Sequence, residues 1–276
     1  MFAYDFIQKA LLALLFVSCS FPFIALNVSD RHSTMIGDVL SHVSLCGIAI
    51  GLASSLFPLG TAILISSLSG LLLEFIREKF PHNAEMALSI LMALGLGITG
   101  FLTTYIPGNR LDSYLFGSLL TVSTLEVGSL GGIALVTILS FLIFSRQLLY
   151  VSYCPEEAQA SRIPVRLLRY GSALLVSLSV AVGSIILGSL LIVAVLSLPL
   201  ATSLRLFHSR KALLLSSGVI TAITGFFGVS FAYSFNFQTS STIVILQAIL
   251  LLLALLFSAL RQHRKTTRIE DEKKLS

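Results

Sequence analysis

Apolar runs of about twenty residues recur from one end of this 276-residue chain to the other, and they constrain its fold more than any motif does. Each run, coiled as a helix, has the length of a bilayer's hydrocarbon core, which takes roughly 20 residues. Nine stretches fit: 6–26, 35–56, 58–76, 84–106, 124–145, 167–187, 188–204, 212–233 and 241–260. Charged residues are 11% of the chain and mean hydropathy is +0.94, against roughly 25% charged in a soluble domain. The expected fold is therefore an all-α polytopic transmembrane bundle over 1–260. A charged tail, 261–276, follows it, and no soluble module large enough for its own core remains.

Two details of this layout need argument. Lys9 followed by the run Ala10 to Val17 and Cys19 imitates a secretory signal, but the apolar stretch continues through Phe21-Pro22-Phe23 to Leu26, so it reads as a span. The stretch 167–204 fits either two short spans meeting near Gly188 or one long span with a broken or re-entrant piece, giving nine spans or eight. Charge decides. With the 146–166 loop in the cytoplasm and nine alternating spans, 16 of the 18 Lys and Arg fall on the cytoplasmic side, leaving only Lys9 and Arg110 outside. The expectation is nine spans with the N-terminus outside and the C-terminus in the cytoplasm.

The net charge of +5 resides in connections and in the tail, which suits membrane orientation and anionic lipid headgroups and gives no nucleic-acid surface. Cys19, Cys46 and Cys154 lie in separate elements without metal-knuckle spacing, so neither a disulfide framework nor a structural zinc site is expected. There is no Gly-x-x-x-x-Gly-Lys-Ser/Thr loop, no His-Glu-x-x-His and no Gly-x-Ser-x-Gly. A chain with so little catalytic inventory reads as a channel, a transporter or a transporter's membrane subunit, not an enzyme, and no permanently bound cofactor is expected.

One apolar helix carries an acid and a histidine, in Gly37-Asp38-Val39-Leu40-Ser41-His42. Ionisable groups at bilayer depth cost roughly 2.5–3.5 kcal/mol each, so they mark a pathway or a site. At spacing i, i+4 the two side chains share one helix face. They either line a path or form an internal pair that locks two helices; a proton relay in a secondary transporter would use the same two groups.

Four stretches together resemble the membrane permease subunit of bacterial ABC importers for zinc, manganese or iron. They are Gly37-Asp38-Val39-Leu40-Ser41-His42-Val43-Ser44-Leu45-Cys46-Gly47-Ile48-Ala49, Tyr114-Leu115-Phe116-Gly117-Ser118-Leu119-Leu120, Cys154-Pro155-Glu156-Glu157-Ala158-Gln159-Ala160, and Gly188-Ser189-Leu190-Leu191 through Pro199-Leu200-Ala201-Thr202. The resemblance covers about 10–260 and implies a type II ABC importer-like permease. Three positions depart from the family pattern: Cys154 stands for an Asp, Arg162 for a Gly, and Leu200 for an Ala.

The resemblance implies roles. Asp38 and His42 would be ligands on the metal path, with Cys46 one turn further as a weaker candidate. Carboxylate and imidazole suit Zn²⁺ and Mn²⁺ alike, whereas a thiolate and the Ser44-Leu45 pair tilt the reading to zinc. Two donors from each half of a dimer would supply four positions about a shared axis. Pro155, Glu156, Glu157, Ala158 and Ala160 would form the coupling helix docked on an ATP-binding subunit, and Tyr114, Phe116 and Gly117 a gate helix beneath an extracytoplasmic metal-binding protein. The remaining partner would be a second copy or a sister permease. A siderophore or cobalamin permease is the nearest rival, and its wide, carboxylate-poor channel fits Asp38 and His42 poorly.

Overall fold

The computed structural model describes residues 5–31, 35–108, 110–117 and 122–275, excepting the side chains of Pro81 and of 260–276. Among the described residues the elements are helices: α1 (Asp5–Asp30), α2 (Ile36–Ala53), α3 (Pro58–Lys79), α4 (Ala84–Thr103), α5 (Arg110–Phe116), α6 (Thr124–Tyr153), α7 (Pro155–Ala160), α8 (Val165–Leu187), α9 (Ser189–Leu206), α10 (Arg210–Phe235) and α11 (Thr239–Leu275). Nine of these, all but α5 and α7, are long and apolar enough to cross a membrane. Local chemistry sets their ends. Pro58 opens α3, Ser123 and Glu126 form a reciprocal capping box on α6, Ser209 caps α10, and Asn236 closes α10 in the left-handed conformation.

The 167–204 stretch resolves into two helices packed on one another and joined by Gly188 alone, so the nine-span layout holds and the eight-span one does not. One boundary moves. The run expected to end at 145 continues as helix to Tyr153, because Leu148 and Val151 extend the buried face past Arg146. The expected 146–166 loop thus shrinks to α7 and two short links. Backbone helix also runs through the tail to Leu275.

Helix α2 is the centre of the bundle, packing on α3, α4, α8 and α9. At one end of the bundle the span termini are tied by ion pairs: Arg31 Nη1 to Glu74 Oε2 at 3.1 Å, Arg166 Nε to Glu78 Oε1 at 2.8 Å, and Arg210 Nη2 to Asp30 Oδ2 at 2.7 Å. Helix α7 lies at this end, between α6 and α8, and it names the face. The opposite face carries α5 and the α8–α9 turn.

That turn is built on two glycines. Gly188 has φ 88° and ψ 151°, a region essentially closed to other residues, and it abuts Gly117, itself at φ 76°. A Cβ on Gly188 would overlap Gly117 N, and one on Gly117 would overlap the Leu187 carbonyl. Ser240 Oγ donates to Leu187 O at 3.0 Å and Ser189 Oγ to Leu115 O at 3.4 Å, fastening α11 and α5 to the same turn.

Gly188→Ala should lower stability by about 1–3 kcal/mol from backbone strain alone, with the overlap on Gly117 added. Gly100→Ala, where a Cβ meets no neighbour, serves as the control. Thermal unfolding of the detergent-purified chain should show a lowered midpoint for the first variant and a midpoint no lower than wild type for the second, since alanine is favoured over glycine inside a helix.

Candidate functional site

Asp38 is the third residue of α2, and the pair therefore sits toward the α7 face, with His42 one turn further in. A carboxylate in the first turn also complements the positive end of the helix dipole, which makes this the least costly place on α2 for an acid. Asp38 Oδ1 lies 3.7 Å from His42 Nε2, with the Asp38 side chain 39% exposed and the His42 side chain 16%. His42 Nδ1 is buried and, among the described residues, has no hydrogen-bond partner. Asp38 stands on the wall of a cavity of about 170 Å³ between the end of α1, the start of α2 and α9, alongside Val28, Gly37, Val193, Leu196 and Leu200. The cavity walls are apolar apart from the Asp38 carboxylate and two serines, and His42 lies beside Asp38 without lining the cavity itself.

Cys46 does not join the pair. It is 3% exposed and faces Thr99 of α4, while Ser44 turns to α8, 2.7 Å from Ser184 Oγ. Among the described residues no group of three or more His, Cys, Asp and Glu is arranged to hold a metal ion. Asp38 and His42 are the two such side chains that the structure brings together on α2.

Tyr114 and Phe116 lie on α5, with Ser118, Leu119 and Leu120 outside the described residues. Tyr114 packs against the core of the bundle; burial, then Glu126, pushes its phenol above the usual range, and Arg110 opposes the shift. Gly117 makes the contact with Gly188, so two motifs 71 residues apart in sequence meet in space.

Helix α7 is a short amphipathic element. Pro155 opens it, Glu156 and Glu157 are exposed in its first turn, Ala160 is exposed, and Ala158 is completely buried. Tyr150 donates its hydroxyl to Glu157 Oε2 at 3.3 Å. Arg162, standing where a glycine was expected, takes the left-handed conformation itself at φ 59°. Ile163 N reaches Ala158 O at 3.1 Å and Arg162 N reaches Gln159 O at 3.1 Å, the paired bonds of a Schellman ending. The departure from glycine thus preserves the exit geometry, at about 1–2 kcal/mol of conformational cost.

Sequence reasoning overlooked the acid of α3. Glu74 is 6% exposed and pairs with Arg31, which also donates to Ser172 Oγ, while Arg77 Nη2 donates to Arg31 O at 3.2 Å. The signal was there: an acid within an apolar run is the same criterion that singles out Asp38.

Comparison with known proteins places this geometry. Residues 3–258 match the ABC 3 transport family. The manganese transport system membrane protein MntC of Halalkalibacterium halodurans is 28% identical over 93% of this chain and 88% of its own length. The manganese import system permease protein ScaB of Streptococcus gordonii is 26% identical over 95% of each. Among solved structures, PsaBC from Streptococcus pneumoniae in complex with Fab superimposes with a TM-score of 0.79 at 26% identity, covering 91% of both chains. A nine-span bundle with these motifs in this order, matched over nearly its whole length, belongs to the ABC 3 transport family.

Proposed function

We propose that this chain is the permease subunit of an ATP-driven importer for a divalent transition metal ion, with Asp38 and His42 on the ion's path. The observation that carries the reading is Asp38 on the wall of an apolar-lined cavity with His42 beside it. Two donors per chain leave the ion's coordination incomplete, which suits a site that must also release its cargo. A second copy, or a sister permease, would complete it about a shared axis. Manganese is the first cargo to test, because the named relatives are manganese permeases. The zinc preference rested on Ser44 and Cys46, and both side chains are engaged with neighbouring helices, away from Asp38.

In this reading the α7 face is cytoplasmic and ATP hydrolysis belongs to a separate ATP-binding subunit seated on α7. The metal-binding protein delivers cargo at the α5 face, the N-terminus lies outside, and the setting is the bacterial cell membrane. Alternating access then requires α7 to report nucleotide state to the bundle while the Asp38/His42 pair stays closed to one side at a time. Most Lys and Arg of the chain, including the six of the tail, fall on the face assigned to the cytoplasm.

Reconstituted with its ATP-binding and metal-binding partners, the wild-type chain should take up ⁵⁴Mn²⁺ in an ATP-dependent manner, with ⁶⁵Zn²⁺ measured in parallel. Asp38→Asn and His42→Ala should each reduce uptake by roughly 10–100-fold, the scale of losing a metal-supporting group, with assembly of the complex unchanged. Undiminished uptake in both variants makes the pair structural, and uptake by the single chain without ATP makes the protein a secondary transporter.

Ala158→Leu, which overfills a fully buried site at about 1–3 kcal/mol, should displace α7. ATP-driven uptake should fall while metal binding at Asp38 and His42, measured by equilibrium dialysis, persists.

A further inference from the structure

Near the α7 face a half-enclosed cavity of about 270 Å³ is lined by Arg31, Arg77, Arg169, Glu74, Val151 and Ser152, with Ala84 completing the wall. Three guanidinium groups face one carboxylate, so the lining carries a net charge of +2. Arg31 is tied to Glu74 and Ser172, and Arg77 to the Arg31 carbonyl. Arg169, half-buried on the second turn of α8, makes no side-chain hydrogen bond or ion pair with the described residues. Arg169 also borders the neighbouring cavity beside α7, together with Glu78 and Glu156, and Glu78 is already held by Arg166 and Tyr170. Burial pulls the Arg31 guanidinium below the usual arginine range; Glu74 opposes this, and Arg77 and Arg169 lower it further. Such a concentration of like charge out of bulk water is relieved by a bound anion.

Depth argues for what that anion is. The four elements that supply the polar lining do so at their ends. Arg31 follows the last residue of α1, Arg77 is two residues from the end of α3, Ser152 is one residue from the end of α6, and Arg169 is four residues into α8. In a membrane spanned by the nine long helices, these ends fall near the level of lipid headgroups. At the same level Phe75, Phe80, Met86 and Leu167 are exposed, offering apolar surface beside the charged cavity. Arginine forks match phosphate oxygens in pairs, and basic pockets between spans recruit anionic headgroups. We propose that this cavity holds the phosphate of an anionic phospholipid from the leaflet at the α7 face, with Arg169 as its principal unshared donor and Arg31 and Arg77 as the supporting charge. The site is separate from the Asp38/His42 pair and stands whether or not that pair carries metal.

The full chain, delipidated in detergent, would be titrated with phosphatidylglycerol, phosphatidylcholine or inorganic phosphate and read by native mass spectrometry. The expected result is one retained phosphatidylglycerol per chain, with phosphatidylcholine and inorganic phosphate held far more weakly. Arg169→Gln should weaken phosphatidylglycerol binding about fivefold, the worth of one basic residue at an anionic surface, while Arg166→Gln, on an exposed side chain, should not. Ser152→Glu, which places a second carboxylate in the cavity, should abolish retention and keeps the test open where Arg169→Gln folds poorly. Equal retention of phosphatidylcholine, or displacement by an equal concentration of inorganic phosphate, overturns the lipid assignment. So does an Arg169→Gln variant that keeps its lipid but loses affinity for the ATP-binding subunit, because the cavity would then receive a partner's carboxylate.

Discussion

Lipid tails are as apolar as leucine, so helices inside a bilayer gain little from merely hiding apolar surface from one another and are held by close backbone approach and interhelical hydrogen bonds. The approach on which this bundle depends is that of α2 to α3. A Cβ at Gly47 would stand 2.7 Å from Ala62 Cα, and one at Gly51 would lie 2.9 Å from Pro58 Cα and overlap Thr61 Oγ1. At that separation the two backbones are in van der Waals contact, and α2 has little freedom to rotate or slide. Ser44 against Ser184 and Ser66 against Ser177 O add hydrogen bonds from α2 and α3 to α8. Asp38 and His42 thereby inherit a fixed bearing from residues one to three turns away that have no chemistry of their own.

Polar groups divide sharply by depth. The long-range ion pairs lie at span ends on the α7 face, where water and headgroups reduce the cost of charge, and the interior uses hydroxyls instead, as in Thr137 with Ser179 and Gln247 with Thr224. Asp38 follows the same rule by sitting in the first turn of its helix. His42, a turn deeper, buries its Nδ1 with no hydrogen-bond partner among the described residues, an arrangement that costs free energy.

Much of this was legible in the sequence. Length and hydropathy located the nine spans, because a bilayer imposes one length on every crossing helix. The 35–56 and 58–76 runs became α2 and α3 to within three residues at each end, and the i, i+4 spacing of Asp38 and His42 put them on one face. Three things were not legible, each for a reason of geometry. The expected span ended at 145, eight residues before α6 does, and the buried face resumes beyond Arg146 at Leu148. Cys46 shares the nominal face of His42, but the packing of α4 on α2 claims its thiol. Contacts between distant segments, Gly117 with Gly188 and Arg31 with Glu74, carry no periodic signature at all.

Helix α8 begins five residues after α7 ends and finishes at the glycine that abuts α5. Its 23 residues make a rod of about 34 Å, packed on α7 at one end and on α5 at the other. A helix of that length resists compression far more than its side chains resist sliding, and the steric lock of two glycines at its far end leaves no slack. One unbroken helix therefore joins α7 to α5 across the bundle, so in the reading proposed above the two partner-facing elements share a single continuous stretch of backbone.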